Sequence, residues 1–144
     1  MSRTFPLAGL LRLRHLQQDS AAGLLASANN RLASTETKRD RAAAELEAST
    51  AEATDAATLA AIAASRAASR SLLHDLDALR QQQRRDAERA QAAFNAARAQ
   101  SIALEKLEAR HAASEAFTFL KAEQGALDEM ASVARQRRTE GISQ

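Results

Sequence analysis

The sequence predicts an all-α protein, a long antiparallel two-helix coiled-coil hairpin whose second helix continues past the first as a C-terminal overhang. Three observations predict it. Alanine is the commonest residue, with 37 in 144 positions, and together with Arg, Leu, Glu and Gln it makes helix the default state. The only proline is Pro6 and the glycines are Gly9, Gly23, Gly125 and Gly141, so residues 24 to 124 contain no strong helix breaker. Finally, apolar residues recur at alternating three- and four-residue steps along two long stretches, separated by a short run of turn-forming residues.

In the first stretch that spacing picks out Leu7, Leu11, Arg14, Gln18, Ala21, Leu25, Ala28, Leu32, Thr35, Arg39, Ala42 and Leu46. The seam is worn but sustained, and it predicts a first helix over about residues 4–48. The segment "ASTAEATDAAT" follows, where Ser49, Thr50, Thr54 and Thr58 concentrate side chains that favour caps and turns over helix interiors. A turn is expected at about 49–55, with Thr54 or Asp55 as the N-cap of the next helix. The 3,4 spacing then resumes at Leu59 and runs through Ile62, Arg66, Ser69, Leu73, Leu76, Arg80, Gln83, Ala87, Ala90, Phe94 and Ala97. The second helix is expected over about 56–138, and the whole chain, 1–144, as a single coiled-coil domain.

An antiparallel pair must match residues whose numbers have a near-constant sum. Sums of 104 and 105 align Leu46 with Leu59, Ala42 with Ile62, Leu32 with Leu73, Ala28 with Leu76 and Leu11 with Phe94. The weak layers then coincide as well, Arg39 near Arg66 and Thr35 near Ser69. In this register the first helix ends opposite residue 100 or so. At ~1.5 Å per residue the first helix spans about 65 Å and the second about 125 Å. The overhang carries Ile102, Leu104, Leu107, Phe117, Phe119, Leu120, Leu127, Met130 and Val133. Its stripe passes through Ala113, Phe117, Leu120, Gln124, Leu127, Ala131 and Ala134, a pattern that a fully solvated helix does not need and that marks an interaction surface.

Charge is sorted along the hairpin although the formal net charge is only +2. Arg3, Arg12 and Arg14 and the run "RQRR" at residues 135 to 138 make the open end basic. No Lys or Arg lies between Arg41 and Arg66, while Glu45, Glu47, Glu52 and Asp55 make the tip acidic.

Several kinds of chemistry are disfavoured. A slender helical pair offers no dry, convergent pocket for catalysis. His15, His74 and His111 are isolated, with no second His at i+4, so they read as helix-surface residues rather than metal ligands. The absence of cysteine removes disulfides and thiolate metal sites and accords with a reducing cytoplasm. No glycine-rich phosphate loop exists, and no cofactor is expected. The basic run "QQQRRDAER" has acids interleaved and lacks aromatic stacking partners, so nucleic acid is not expected. A solvated face with local pairs such as Arg84 and Glu88 accounts for it. No apolar run approaches the ~20 residues of a membrane span. The N-terminal "MSRTFPLAGLLRLRHL" is broken by Arg12 and Arg14 before a signal-peptide core could form, and it reads as the amphipathic start of a structural helix rather than a transit peptide.

"FPLAGLLRLR" at residues 5–14, the Ala-rich helix after it, "EKLEARH" at 105–111 and "EQGALDEMA" at 123–131 resemble the FliJ family of flagellar export proteins. The resemblance implies a non-enzymatic stalk and escort of the flagellar type III export apparatus, an antiparallel coiled coil similar to the central stalk of rotary ATPases. It implies that the open end enters the hexameric ring of the export ATPase, and that another surface meets the membrane export gate protein FlhA. Export chaperones are further partners it suggests, without insertion into the membrane, and a cytoplasmic location at the inner face of the export apparatus. The implied ring contacts are Leu7, Leu11 and Arg14 from the first helix and Phe117, Leu120, Leu127, Asp128 and Glu129 from the second. Some members carry aromatics near the hairpin tip. Here residues 48 to 68 contain none, leaving Leu46, Leu59 and Ile62 as gate-contact candidates that the seam already engages.

Two other readings stay open. One is a self-associating coiled-coil scaffold in which overhangs pair with one another, or the equivalent stalk of a virulence-type secretion system. The other is a peripheral binder of anionic membranes or nucleic acid through the basic ends, recognisable by salt-sensitive binding.

Overall fold

A computed structural model describes residues 3–49 and 51–141. Met1 and Ser2 of the N-terminal segment and Thr50 of the expected turn lie outside the described residues. The chain is an all-α helical hairpin of two elements, α1 (Ala8–Ala48) and α2 (Ala56–Gly141).

Helix α1 begins at Ala8, later than the expected residue 4. Pro6 pushes Phe5 out of the helical region, and Phe5–Leu7 form a turn closed by the Ala8 N–H to the Phe5 carbonyl at 3.1 Å. The Leu11 N–H then donates to the Leu7 carbonyl at 2.9 Å, which makes Leu7 the entry residue. After α1, the Ser49 hydroxyl donates to the Leu46 carbonyl at 2.8 Å. Asp55, not Thr54, caps α2: its Oδ1 accepts the Thr58 N–H at 2.7 Å and its carbonyl accepts the Leu59 N–H at 3.1 Å. The Thr58 side-chain and backbone hydrogen bonds, with a smaller one from the Ala57 N–H, hold the Asp55 carboxyl below its usual range. At the other end α2 runs to Gly141, with Arg138 in its last turn, where a cation complements the helix dipole.

The chain forms two compact units, one of residues 15–98 and one joining the N-terminal residues to 14 with 99 onward. In the first, the buried and half-buried positions follow the 3,4 seams of both helices, from Gln18 to Leu46 and from Ile62 to Ala97. Ala28, Thr35 and Ala87 are buried. Leu59 departs from the seam and is 59% exposed.

The register of this unit differs from the one that apolar matching predicts. Arg66 Nη1 donates to the Ser49 carbonyl at 3.0 Å, Arg39 Nε to Asp77 Oδ1 at 3.1 Å, and Arg84 Nη2 lies 3.5 Å from Glu36 Oε1. These contacts put α1 level with residues roughly eleven positions further along α2, or three helical turns. Leu46 therefore does not meet Leu59, nor Leu32 Leu73, and Arg39 faces a carboxylate instead of Arg66. Two physical reasons account for the difference. Alanine layers bury similar area in any register, so they discriminate weakly, whereas Glu36, Arg39, Asp77 and Arg84 match in only one. The connection also does not turn tightly. Ser49 sits at the level of Arg66 while Asp55 caps α2, so the connection spans about 15 Å along the first turns of α2 at ~1.5 Å per helical residue, within reach of a short segment at ~3.3 Å per residue.

Candidate functional site

The unit that joins the two ends of the chain contains the strongest candidate. Its packed part is short. Ser101 is fully buried, and Leu11 and Leu104 are buried at 7% and 9% exposure. Arg14 Nη1 donates to Gln100 Oε1 at 2.7 Å. N-terminal to α1 the chain continues along α2 as an irregular strap. The Phe5 ring meets the His111 ring with centroids 5.6 Å apart and planes inclined at 57°, and the Arg3 backbone N–H donates to Glu115 Oε2 at 3.1 Å. A cleft of about 580 Å³ opens beside the strap, lined among others by Phe5, Ala112, Ala116, Phe119 and Ala122.

Covered residues of α2 therefore extend to Glu115, not to about 100 as the predicted register implied. Leu104 belongs to the packed layer, and the overhang proper begins after Glu115. From residue 116 to 141 every position is exposed, a stretch of about 39 Å at ~1.5 Å per residue.

That free stretch is apolar on two sides. Phe117, Leu120 and Leu127 form the expected stripe, at 69%, 62% and 62% exposure. A second stripe, absent from the sequence reading as a stripe, passes through Phe119, Ala122, Ala126, Met130 and Val133. Ala126, Met130, Val133 and Ala134 line a shallow groove bordered by Glu129 and Arg137. At 3.6 residues per turn the two stripes lie roughly 120° apart. Continuing the 3,4 spacing from Phe119 instead of Phe117 would have found the second.

The eight residues expected at the open end thus divide. Phe117, Leu120, Leu127, Asp128 and Glu129 are exposed on the free stretch, and Leu7 is exposed at the entry to α1. Leu11 is not available as a contact, because the helix pair buries it. Arg14 is half-buried and engaged by Gln100. Arg3 was read only as part of the basic end, His111 only as a helix-surface residue and Phe5 only within its motif; their contacts, and Glu115, were not found, since nothing periodic marks a strap that lies outside the helix it precedes.

The other unit holds the gate-contact candidates. Leu46 and Ile62 are half-buried in the seam, but Leu59 is not engaged there as expected. Its exposure follows from the register, which carries the first turns of α2 beyond the end of α1. In "QQQRRDAER", Arg84 pairs with Glu36 across the helices rather than with Glu88. Within the run, Arg85 Nη2 donates to Gln82 Oε1 at 2.8 Å, Gln82 Nε2 to Asp86 Oδ1 at 3.2 Å, and Arg89 pairs with Asp86. Among the described residues no group of three or more His, Asp or Glu side chains is placed to hold a metal ion. No helix there is long and apolar enough to cross a membrane.

Neither the curated proteins nor the solved structures contain a significant match to the chain. A family model described as the flagellar FliJ protein matches residues 2–140, which takes in both helices, the loop and nearly all of the free stretch. The chain therefore belongs to the flagellar FliJ protein family, and with it to the machinery of flagellar protein export.

Proposed function

We propose that this chain is a non-enzymatic stalk and escort component of the flagellar type III export apparatus, working at the cytoplasmic face of the membrane. Its open end enters the hexameric ring of the export ATPase and couples that ring to the gate protein FlhA. The observation that carries this reading is the free stretch of α2, exposed throughout and apolar on two faces. A helix that packs on one neighbour needs one stripe; a helix enclosed on several sides is apolar on several. A ring lumen encloses, whereas pairing of two overhangs in a scaffold covers a single face of each. Phe117, Leu120, Leu127 and Met130 are the ring anchors in this reading, with Asp128 and Glu129 as polar contacts at the same level.

In the unit of residues 15–98, Leu59 is the gate-contact candidate that its exposure favours. It stands among residues that carry acids and no Lys or Arg from 42 to 65, so a basic, partly apolar partner surface suits it.

Stimulation of the cognate ATPase by the purified chain tests the proposal. Phe117→Asp with Leu120→Asp abolishes stimulation while circular dichroism retains full helicity, because neither side chain packs within the chain. Undiminished stimulation by this double variant overturns the ring reading. A stable dimer in sedimentation, with no affinity for the ATPase, favours the scaffold instead.

A further inference from the structure

We propose that the hairpin of residues 15–98 is a sliding device with two registers three helical turns apart, one held by ion pairs and one by apolar layers. The proposal does not depend on the ATPase reading.

The two seams allow it geometrically. A shift of eleven residues is three turns of a helix at 3.67 residues per turn, so the same faces remain in contact. In the observed register Ala28 is level with Ala87, both buried, and Thr35 lies with Gln83 and Leu79 along one groove. Moved three turns, Ala28 meets Leu76, Leu32 meets Leu73, Ala42 meets Ile62 and Leu46 meets Leu59. All of these but Leu59 already lie on the seam in the observed register.

The registers exchange different kinds of stabilisation. The observed one makes the Arg39–Asp77 and Arg84–Glu36 pairs, and it leaves Leu59 exposed. It also buries Arg80 Nε and Gln83 Oε1 without hydrogen-bond partners, which is costly in a desolvated seam. The other register covers Leu59 and brings bulky apolar side chains together, but sets Arg39 near Arg66. Exposed and half-exposed ion pairs contribute little individually, so the balance between the two is close. The connection between the helices permits it, since a shift shortens the distance it must span.

The chain has no cysteine, so disulfide trapping reads the two registers directly. Ala28→Cys with Ala87→Cys reports the observed register, and Ala28→Cys with Leu76→Cys the other. On mild oxidation of the full chain at low concentration, the first pair cross-links within the monomer in most molecules and the second in a minority. Asp77→Arg, which turns the Arg39 partner into a like charge, raises the second yield several-fold at the expense of the first. Circular dichroism verifies that this variant stays helical. If it does not, Arg39→Gln replaces it and shifts the ratio in the same direction. The proposal is overturned if the Ala28–Leu76 pair stays open in every background while Ala28–Ala87 closes, or if the charge variants leave the ratio unchanged.

Discussion

Arg39 on α1 donates its Nε–H to Asp77 Oδ1 on α2 at 3.1 Å, and Arg80 Nη2 lies 3.5 Å from the same oxygen. The Arg39 guanidinium is held charged above its ordinary range by hydrogen bonds to Asp40 and Asp77, with the Asp77 charge adding to them. One carboxylate thus sits between cations from both helices, in the middle of a seam whose other layers are mostly small. Asp77→Ala is expected to lower the thermal midpoint by a few degrees, by less in high salt, where partly exposed pairs are screened. The exchange Arg39→Asp with Asp77→Arg recovers part of that loss, whereas either half alone does not. Thermal melts of the four variants at two salt concentrations make the comparison.

The Asp55 cap predicts an acid response. Its carboxyl is depressed below the ordinary value of 3.8 in the folded chain by bonds from Thr58. The stabilisation it gives is therefore complete above that value and disappears as the pH falls through the lower folded one. Asp55→Asn still accepts the Thr58 N–H and removes this site's contribution to acid sensitivity. Asp55→Ala removes the cap at every pH. Helicity and melting temperature followed from pH 7 to 2 distinguish the three chains.

The free stretch of α2 passes through Gly125 without a break and without positive φ, and a Cβ there would meet nothing within 4 Å. Gly125→Ala is expected to favour helix by about 1 kcal/mol locally. Slower amide exchange across residues 116 to 134 is the readout. Unchanged exchange would mean that helix propensity does not limit order in this stretch.

Met130→Asp with Val133→Asp charges the second face and leaves Phe117 and Leu120 intact. If a ring encloses the helix, this variant loses ATPase stimulation as completely as the first-face variant does. If a single docking surface receives it, one double variant is silent. Both assays run on the same preparation, with helicity unchanged.

Phe5→Ala removes the ring that rests on His111. Faster amide exchange in the first turn of α1 and around His111 is expected, with the hairpin of residues 15–98 unaffected. Equal loosening of both units would contradict their separation.

The seam positions were legible because 3,4 periodicity is a property of the residues themselves. From Leu11 to Leu46 and from Ile62 to Ala97, the positions picked by spacing are the ones that lose exposure. Register was not legible, because apolar matching treats Ala28 beside Leu76 and Ala28 beside Ala87 as acceptable layers. The deciding contacts, Arg39 with Asp77 and Glu36 with Arg84, involve long side chains of which Glu36, Asp77 and Arg84 reach in from positions flanking the seam. The same error moved the start of the overhang from Glu115 back to residue 100. The helix termini were legible within a few residues, and Pro6 explains the late start of α1. The strap from Arg3 to Leu7 could not be found by periodicity, because its contacts lie outside any helix.

The two-sided apolar stretch from residue 116 to 141 bears on the lifetime of the chain as well as on its contacts. Until something covers them, Phe117, Leu120, Leu127 and Met130 present what holdases and housekeeping proteases recognise, on a helix end with no tertiary packing to protect it. If the proposed ATPase ring covers this end, copies in excess of the rings are cleared first, and pulse-chase in cells with and without the ATPase would show it as a difference in half-life. Abundance would then be set by occupancy, a count kept by the sticky end of one helix.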